Sequence, residues 1–217
     1  GPSGIAYIGI FKALFDKKIL NPELDGIHEI ITASVGILFS YLYLINIGHE
    51  AINKLTIEAD ILSLLNYDTI QIDDLLIDYG LFETDKIGDI IKFTTLHWLK
   101  KEDITLKELY NKFPIQLTVK VFNTTKKQIE YISYKTDPDL SIIKLSEMTM
   151  AIPFFFKPVK YNNCLYVDGG MRGHFPIEVC ESKNYLGIFI MGGAFPKESE
   201  IIQTFPILEF IYSLIIN

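Results

Sequence analysis

Residues 27–42 read IHEIITASVGILFSYL. Residues 27–31 favour a β-strand, residues 37–42 favour an apolar helix, and the short turn between them holds Ser34. A sharp strand-to-helix turn lifts a serine Oγ clear of its neighbours. The first amides of the following helix, beginning at Val35, can then stabilise an oxyanion. The pattern therefore predicts a nucleophile at Ser34, with Gly36 as a supporting position of the motif.

A second candidate, Asp168, lies far downstream at the end of the short β-favouring run Leu165-Tyr166-Val167. Gly169 and Gly170 follow it, and glycines permit backbone torsions and a close approach that a side chain would block. Functional residues of α/β proteins collect at such strand ends. Asp-Gly is also a common turn dipeptide, so in isolation Asp168 is more simply a turn residue. On these residues alone, both interpretations, a turn residue and a partner for Ser34, stay open.

Composition limits the possible functions. The chain has 217 residues, of which 49% are hydrophobic and 22% are charged, and this predicts one large domain with a substantial core. A net charge of −7 and the lack of a long basic run argue against a nucleic-acid partner.

Two cysteines, Cys164 and Cys180, form no disulfide framework and favour a reduced compartment. The four histidines are scattered, so neither a metal nor another cofactor is expected.

The rest of the chain alternates between helical and strand patterns, which predicts an α/β fold. Helices are predicted at residues 4–15, 37–47 (with Gly48 as its C-cap) and 141–150. Residues 50–101 are mainly helical, with breaks near 66–68 and at Tyr79-Gly80, and are interpreted as a helical insertion or cap. Strands are predicted at 115–121 (half-buried), 128–135 (its hairpin partner) and 185–191 (buried).

The longest apolar runs, residues 37–47 and 205–216, are shorter than the ~20 residues that span a bilayer. The second is interpreted as a helix covering one face of the sheet.

Several motifs occur in one order along the chain. Gly1-Pro2-Ser3-Gly4 precedes the first helix, and Ser34 follows it. Residues 150–159 read MAIPFFFKPV, and Asp168-Gly169-Gly170 comes after them, with Pro176 beyond. Each motif is modest, but the ordered set resembles the patatin-like phospholipase family over essentially the whole chain.

This resemblance implies a three-layer α/β/α patatin-like fold with a central, mostly parallel or mixed sheet. The chain would be a single hydrolase domain over residues 1–217, with its first strand expected upstream of Gly1. Ser34 and Asp168 would form a catalytic dyad, and Gly1 and Gly4 would belong to the oxyanion loop. The implied activity is lipid acyl hydrolysis of the phospholipase A or lysophospholipase type.

Two residues depart from the family pattern. Thr32 occupies a position where the family usually has glycine, and Ser3 one where it usually has a basic residue. A β-branched residue at position 32 is expected to strain the turn or shift the serine Oγ. These departures leave open a catalytically inactive lipid-binding or interaction module, and an acyltransferase would use the same dyad.

Two further residue sets bear on mechanism and substrate. His174 is the only histidine near the predicted site, and a Ser-His-Asp triad through it is the rival mechanism. Phe154, Phe155 and Phe156 would either line an acyl channel or belong to the core. The expected partner is a lipid or phospholipid, with peripheral membrane contact and a cytoplasmic or membrane-surface location.

Overall fold

The computed structural model describes residues 6–58, 77–173 and 175–190 of the chain. In chain order the helices of these residues are α1 (Ala6–Asp16), α2 (Gly36–Leu44), α3 (His49–Glu58), α4 (Asp85–Leu99), α5 (Leu106–Lys112) and α6 (Ile142–Met150). The strands are β1 (Glu29–Ala33), β2 (Gly80–Phe82), β3 (Gln116–Asn123), β4 (Gln128–Ile132), β5 (Phe154–Phe156), β6 (Val159–Tyr161) and β7 (Cys164–Asp168). Two short 3₁₀ helices, Gly169–Arg172 and Ile177–Val179, follow β7.

Strands β1, β3, β4, β6 and β7 form one mixed sheet, and β2 and β5 form a separate parallel pair. β1 runs parallel to β3, whereas β4 and β7 run antiparallel to it. Helices α2 and α6 pack against this sheet. The predicted α/β class with a mixed central sheet is confirmed.

The register of β3 explains how two strand ends come together. β4 pairs with residues 119–123 of β3 and so occupies one of its edges. β1 pairs with residues 116–120 and β7 with residues 121–123, so both must lie along the other edge. β1 ends with Ala33 opposite Lys120, and β7 ends with Asp168 opposite Val121. The two strands therefore meet end to end between Lys120 and Val121, which we call the strand junction.

The prediction that β3 is half-buried was wrong. Val119 and Val121 are fully buried, but Thr118 and Lys120 on the opposite face are buried as well. A central strand covered on both faces loses the polar-out alternation, and its polar side chains must then find partners inside the protein. Lys120 does so at the turn that follows β7, described below.

The other predicted elements agree with the structure in part. The break predicted in the helical pattern at Tyr79-Gly80 is confirmed, because β2 begins at Gly80, and the hairpin partner of β3 is present as β4. Gly48 is not the C-cap of α2: the helix ends at Leu44, and Asn46 adopts the left-handed backbone with φ 59°. The predicted break near 66–68 and the apolar run 205–216 lie outside the described residues, and the insertion or cap over 50–101 stays a prediction.

Residues 185–190 do not form the predicted buried strand. Tyr185, Leu186 and Phe189 are exposed, and Phe189 packs edge-on against Phe175. An apolar run forms a buried strand only where a sheet edge can pair with it, and no strand among the described residues pairs with this one. None of the helices in the described ranges combines the length and apolar character needed to cross a membrane.

Candidate active site

Ser34 lies on a tight turn between the end of β1 at Ala33 and the start of α2 at Gly36. Its φ of 53° is in the left-handed region, which is unfavourable for a residue with a Cβ and recurs at functional sites. The Ser34 carbonyl accepts the N–H of Ile37 at 3.0 Å, so the turn leads directly into the helix. The strand, turn and helix predicted from residues 27–42 are confirmed.

Asp168 ends β7 and begins the Asp168 turn, which we define as residues 168–173. Its N–H donates to the carbonyl of Ala151 at 2.9 Å, and its Oδ1 accepts the N–H of Gly170 at 2.7 Å. A Cβ on Gly169 would collide with the carbonyl oxygen of Lys120. The chain can therefore pass this close to β3 only because residue 169 is glycine.

The two candidate residues meet at the strand junction. Ser34 directly follows the end of β1 and Asp168 is the last residue of β7, so each leaves the sheet from the same edge of β3. The Ser34 Oγ donates a hydrogen bond to Asp168 Oδ2 at 2.6 Å. Asp168 is only 5% exposed, so its carboxylate is largely shielded from water. A hydrogen bond to a carboxylate is stronger in such a shielded environment than in bulk solvent.

Thr32, which occupies the position where the family usually has glycine, is 6% exposed and packs beneath the turn. A Cβ added to Gly36 would collide with the Thr32 Oγ1 and would lie 3.3 Å from the Tyr7 hydroxyl. The β-branched side chain therefore fits because Gly36 has none. The expected displacement of the serine does not occur, since the Ser34 Oγ remains within hydrogen-bond distance of Asp168.

Two buried polar residues that sequence reasoning missed lie at the strand junction. Thr149, near the end of α6, accepts the Ser34 N–H at 2.9 Å and donates its own proton to the Lys120 carbonyl at 2.8 Å. Lys120 Nζ donates to the carbonyls of Gly173 at 2.9 Å and Arg172 at 3.2 Å. Nothing in the local sequence predicts these contacts, because Thr149 lies in a predicted helix and Lys120 in an alternating strand.

Lys120 also forms an ion pair with Glu178, whose Oε1 lies 2.8 Å from the lysine Nζ. Lys120 is 1% exposed, so a carboxylate partner offsets the cost of burying its charge. Partial burial acts to raise the pKa of Glu178. Hydrogen bonds from Lys120 and Tyr131 outweigh it and lower that pKa to about 2. Glu178 therefore stays ionised at neutral pH.

The predicted oxyanion-loop residues Gly1 and Gly4 lie outside the described residues, as do Ser3 and His174. Val35, the third predicted oxyanion residue, lies at the N-cap of α2. The first amides of a helix have no acceptor within the helix, and Val35 N–H follows directly after the serine. Its oxyanion role stays a prediction.

Phe154, Phe155 and Phe156 form β5, which pairs with β2. All three are half-buried and pack around the buried side chains of Leu81 and Phe82. They follow Ala151, the residue whose carbonyl holds the Asp168 N–H, after a short connection. Their use as an acyl channel stays a prediction.

The cysteines and the acidic side chains of the described residues form neither a disulfide nor a metal cluster. Cys164 and Cys180 are both free thiols. Within the described residues, no three His, Cys, Asp or Glu side chains come together as a metal site would require.

Comparison with known proteins connects this geometry to a family. The model of the family described as patatin-like phospholipase matches residues 1–180. A probable lipid hydrolase of Invertebrate iridescent virus 6 is 32% identical over 182 residues, covering 82% of this chain and 61% of that protein. An uncharacterised protein of Acanthamoeba polyphaga mimivirus is 25% identical over 174 residues, covering 80% of this chain and 56% of that protein.

Among solved structures, VipD from Legionella pneumophila aligns with a TM-score of 0.56 and 17% sequence identity. The alignment covers 96% of this chain and 51% of VipD. At this identity the likeness concerns the fold alone. The chain thus spans between 51% and 61% of the length of these three proteins.

Proposed function

Because the chain belongs to the patatin-like phospholipase family, we propose that it is a serine hydrolase that cleaves carboxylic esters of lipids through Ser34 and Asp168. The observation that carries the proposal is the 2.6 Å hydrogen bond from Ser34 Oγ to Asp168 Oδ2. A nucleophilic hydroxyl needs a base within this distance, and a carboxylate held in place can serve as that base.

In the first half of the reaction, the Ser34 Oγ attacks the ester carbonyl carbon while its proton passes to Asp168 Oδ2. The carbonyl oxygen becomes an oxyanion, which the N–H of Val35 and the amides of the loop containing Gly1 and Gly4 stabilise. Each such donor contributes about 3 to 4 kcal/mol in other hydrolases. The bond to the alcohol oxygen then breaks, the alcohol leaves with the proton from Asp168, and the acyl group stays on Ser34.

The second half of the reaction returns the enzyme to its starting state. A water molecule gives a proton to Asp168 as its oxygen attacks the acyl carbonyl, and a second tetrahedral intermediate forms. Its collapse breaks the bond to the Ser34 Oγ, which regains the proton from Asp168, and the carboxylic acid is released. The Gly170 N–H on Oδ1 keeps the aspartate oriented through both halves.

The substrate class is proposed as lipid, of the phospholipase A or lysophospholipase type. It is supported by the family and by a relative named as a probable lipid hydrolase. The three phenylalanines of β5 would line part of the path of the acyl chain, since half-buried aromatic side chains offer an apolar surface. Peripheral contact with a membrane would deliver such a substrate.

Ester hydrolysis tests the proposal. Aryl esters of increasing acyl length and phosphatidylcholine vesicles are offered to the wild-type protein and to Ser34→Ala, Asp168→Asn and His174→Ala. We expect Ser34→Ala and Asp168→Asn to lose at least about a thousandfold in kcat/KM, because each removes one half of the dyad. His174→Ala should retain most of the activity.

The outcomes separate the alternatives. Loss of activity in both His174→Ala and Asp168→Asn would indicate a Ser-His-Asp triad, and loss in His174→Ala alone would make the histidine, in place of Asp168, the base. A folded wild-type protein that binds vesicles but cleaves no ester would indicate a binding module. Transfer of the acyl group to an added alcohol, in preference to water, would indicate an acyltransferase that uses the same residues.

A further inference from the structure

The hydroxyl of Thr149 connects the nucleophile to the centre of the sheet. The residue lies in the last turn of α6 and is fully buried, with 0% exposure. A backbone N–H can only donate and a carbonyl can only accept. The Thr149 oxygen must therefore accept from Ser34, and its proton must go to Lys120, at 2.9 Å and 2.8 Å respectively. Both bonds together fix the rotation of this hydroxyl.

The Thr149 hydroxyl connects Ser34 to Lys120 at the point where the pairing of β1 with β3 stops. Ala33 opposite Lys120 is the last pair of that ladder, and Ser34 is the first residue beyond it. At Ser34 the backbone is left-handed, and the chain turns away from the sheet into α2. The Thr149 hydroxyl thus provides the half-buried Ser34 amide with an acceptor at the point where the ladder no longer supplies one.

Lys120 extends the connection to the other half of the dyad. Its carbonyl receives the Thr149 proton, while its side chain binds the carbonyls of Arg172 and Gly173 in the Asp168 turn. Lys120 is therefore connected to Ser34 through its carbonyl and the Thr149 hydroxyl, and to the Asp168 turn through its side-chain ammonium group. The position of the Ser34 hydroxyl relative to the Asp168 carboxylate depends on both sets of hydrogen bonds.

We propose that Thr149 is a positioning residue, whose hydroxyl holds the Ser34 amide so that the left-handed turn presents Oγ to Asp168. The inference rests on the proposed function, because it concerns the reactivity of Ser34. Without the hydroxyl, the Ser34 N–H and the Lys120 carbonyl each lose this partner, and the strained turn is free to relax. A displacement of about 1 Å at a reacting atom can lower the rate about a hundredfold.

The test compares Thr149→Val, which has the same shape without hydrogen bonds, with Thr149→Ser, which keeps the hydroxyl. We expect Thr149→Val to lower kcat for an aryl ester by about 10- to 100-fold, with KM changed by less than about threefold. Thr149→Ser should stay within about threefold of wild type. In Thr149→Val the Ser34 amide should also exchange with solvent deuterium faster, as followed by NMR.

Thr95→Val is the matched control. Thr95 is also 0% exposed and loses two hydrogen bonds on substitution, one to the Ile91 carbonyl at 2.6 Å and one with the Tyr41 hydroxyl at 2.7 Å. It should lower stability without lowering kcat. If Thr149→Val does not fold, Thr149→Cys replaces it, and its kcat should be at least about tenfold below that of Thr149→Ser because a thiol is a weak donor and acceptor.

Three results would overturn the inference while leaving the proposed function intact. These are an unchanged kcat in folded Thr149→Val, a loss in Thr149→Ser equal to that in Thr149→Val, or an equal loss of kcat in Thr95→Val. A wild-type protein that cleaves no ester would instead overturn the proposed function, together with the catalytic part of this inference. The exchange rate of the Ser34 amide would still report whether Thr149 holds it.

Discussion

At the scale of single residues, Ser34 depends on a complementary pair of neighbours. Thr32 fills the space beneath the turn, and Gly36 leaves that space free because it has no side chain. Thr32 departs from the family pattern, and Gly36, two residues after Ser34, leaves room for its side chain. We call Thr32 and Gly36 the steric pair.

The steric pair predicts a coupling between two substitutions. Gly36→Ala should lower the free energy of unfolding by about 1 to 3 kcal/mol, because its Cβ would collide with the Thr32 side chain. In a chain that already carries Thr32→Gly, the same substitution should cost at least about 1 kcal/mol less. Urea unfolding of the four proteins measures the coupling.

Gly48→Ala serves as the control for this cycle, because an added Cβ there meets nothing within 4 Å. Its cost should be the same with Thr32 or with glycine at position 32. An equal cost of Gly36→Ala in both backgrounds would show that the two residues do not constrain each other.

Sequence reasoning at this scale identified Ser34 and Asp168 as candidates, because each follows a β-favouring run at a turn, and the resemblance to the patatin-like family made them a pair. It missed Thr149 and Lys120, because their roles arise from partners 115 and 53 residues away in the chain. A buried lysine in a central strand cannot be told from an exposed one by alternation alone. Only the covering of both faces of β3 makes Lys120 an internal residue.

At the scale of secondary-structure elements, the site is a consequence of how β3 shares its edges. β4 occupies one edge, so β1 and β7 divide the other and meet at Lys120 and Val121. The strands at 115–121 and 128–135 were predictable from their alternation. The pairing of β3 with β1 and β7 was not, because strand periodicity contains no information about which edge a distant strand will occupy.

The short 3₁₀ helix Ile177–Val179 belongs to the same arrangement, because it brings Glu178 to Lys120. The pKa of Glu178 falls from an ordinary value of 4.5 to about 2 in the folded chain. A lowered carboxylate pKa stabilises the folded state fully above about pH 4.5. This stabilisation is lost as the pH falls towards about 2.

We therefore expect Glu178→Gln to lower the free energy of unfolding at pH 7. The gap from wild type should narrow as the pH is lowered from about 4.5 towards 2. Urea unfolding at a series of pH values measures the gap. Glu102→Gln, which removes an exposed ion pair with Lys92, should change stability by less than about 1 kcal/mol. A gap for Glu178→Gln that stays constant between pH 7 and pH 3 would contradict the assignment.

At the scale of the whole molecule, the buried apolar residues of the described ranges form one main cluster that includes side chains from all six helices. A smaller cluster of Leu81 and Phe82, packed by the β5 phenylalanines, adjoins it through Phe156. This packing supports the single domain expected from composition, which stays a prediction for residues 1–217. Residues 185–190 form no strand, although they are apolar. Apolar composition alone cannot predict a strand, because a strand also needs a sheet edge with which to pair.

Net charge leads to a prediction about the lipid surface. The chain carries a formal charge of −7, so it should be repelled by strongly anionic membranes. At about 0.01 M salt, where screening extends about 30 Å, hydrolysis should be faster on phosphatidylcholine vesicles than on vesicles rich in phosphatidylglycerol. The difference should shrink at about 1 M salt, where the screening length is about 3 Å.

Initial rates on both vesicle types across this salt range give the measurement. A preference for the anionic vesicles at low salt would mean that a local lysine patch, such as one built from Lys100 and Lys101, outweighs the net charge.

The proposed roles of Ser34 as nucleophile and Asp168 as its base can be tested by mass spectrometry after exposure to a fluorophosphonate, which traps activated serines. We expect one adduct on the peptide that contains Ser34 in the wild-type protein, none in Ser34→Ala, and labelling at least about a thousandfold slower in Asp168→Asn. A folded wild-type protein without the adduct, or an adduct that persists in Ser34→Ala, would show that Ser34 is not the nucleophile.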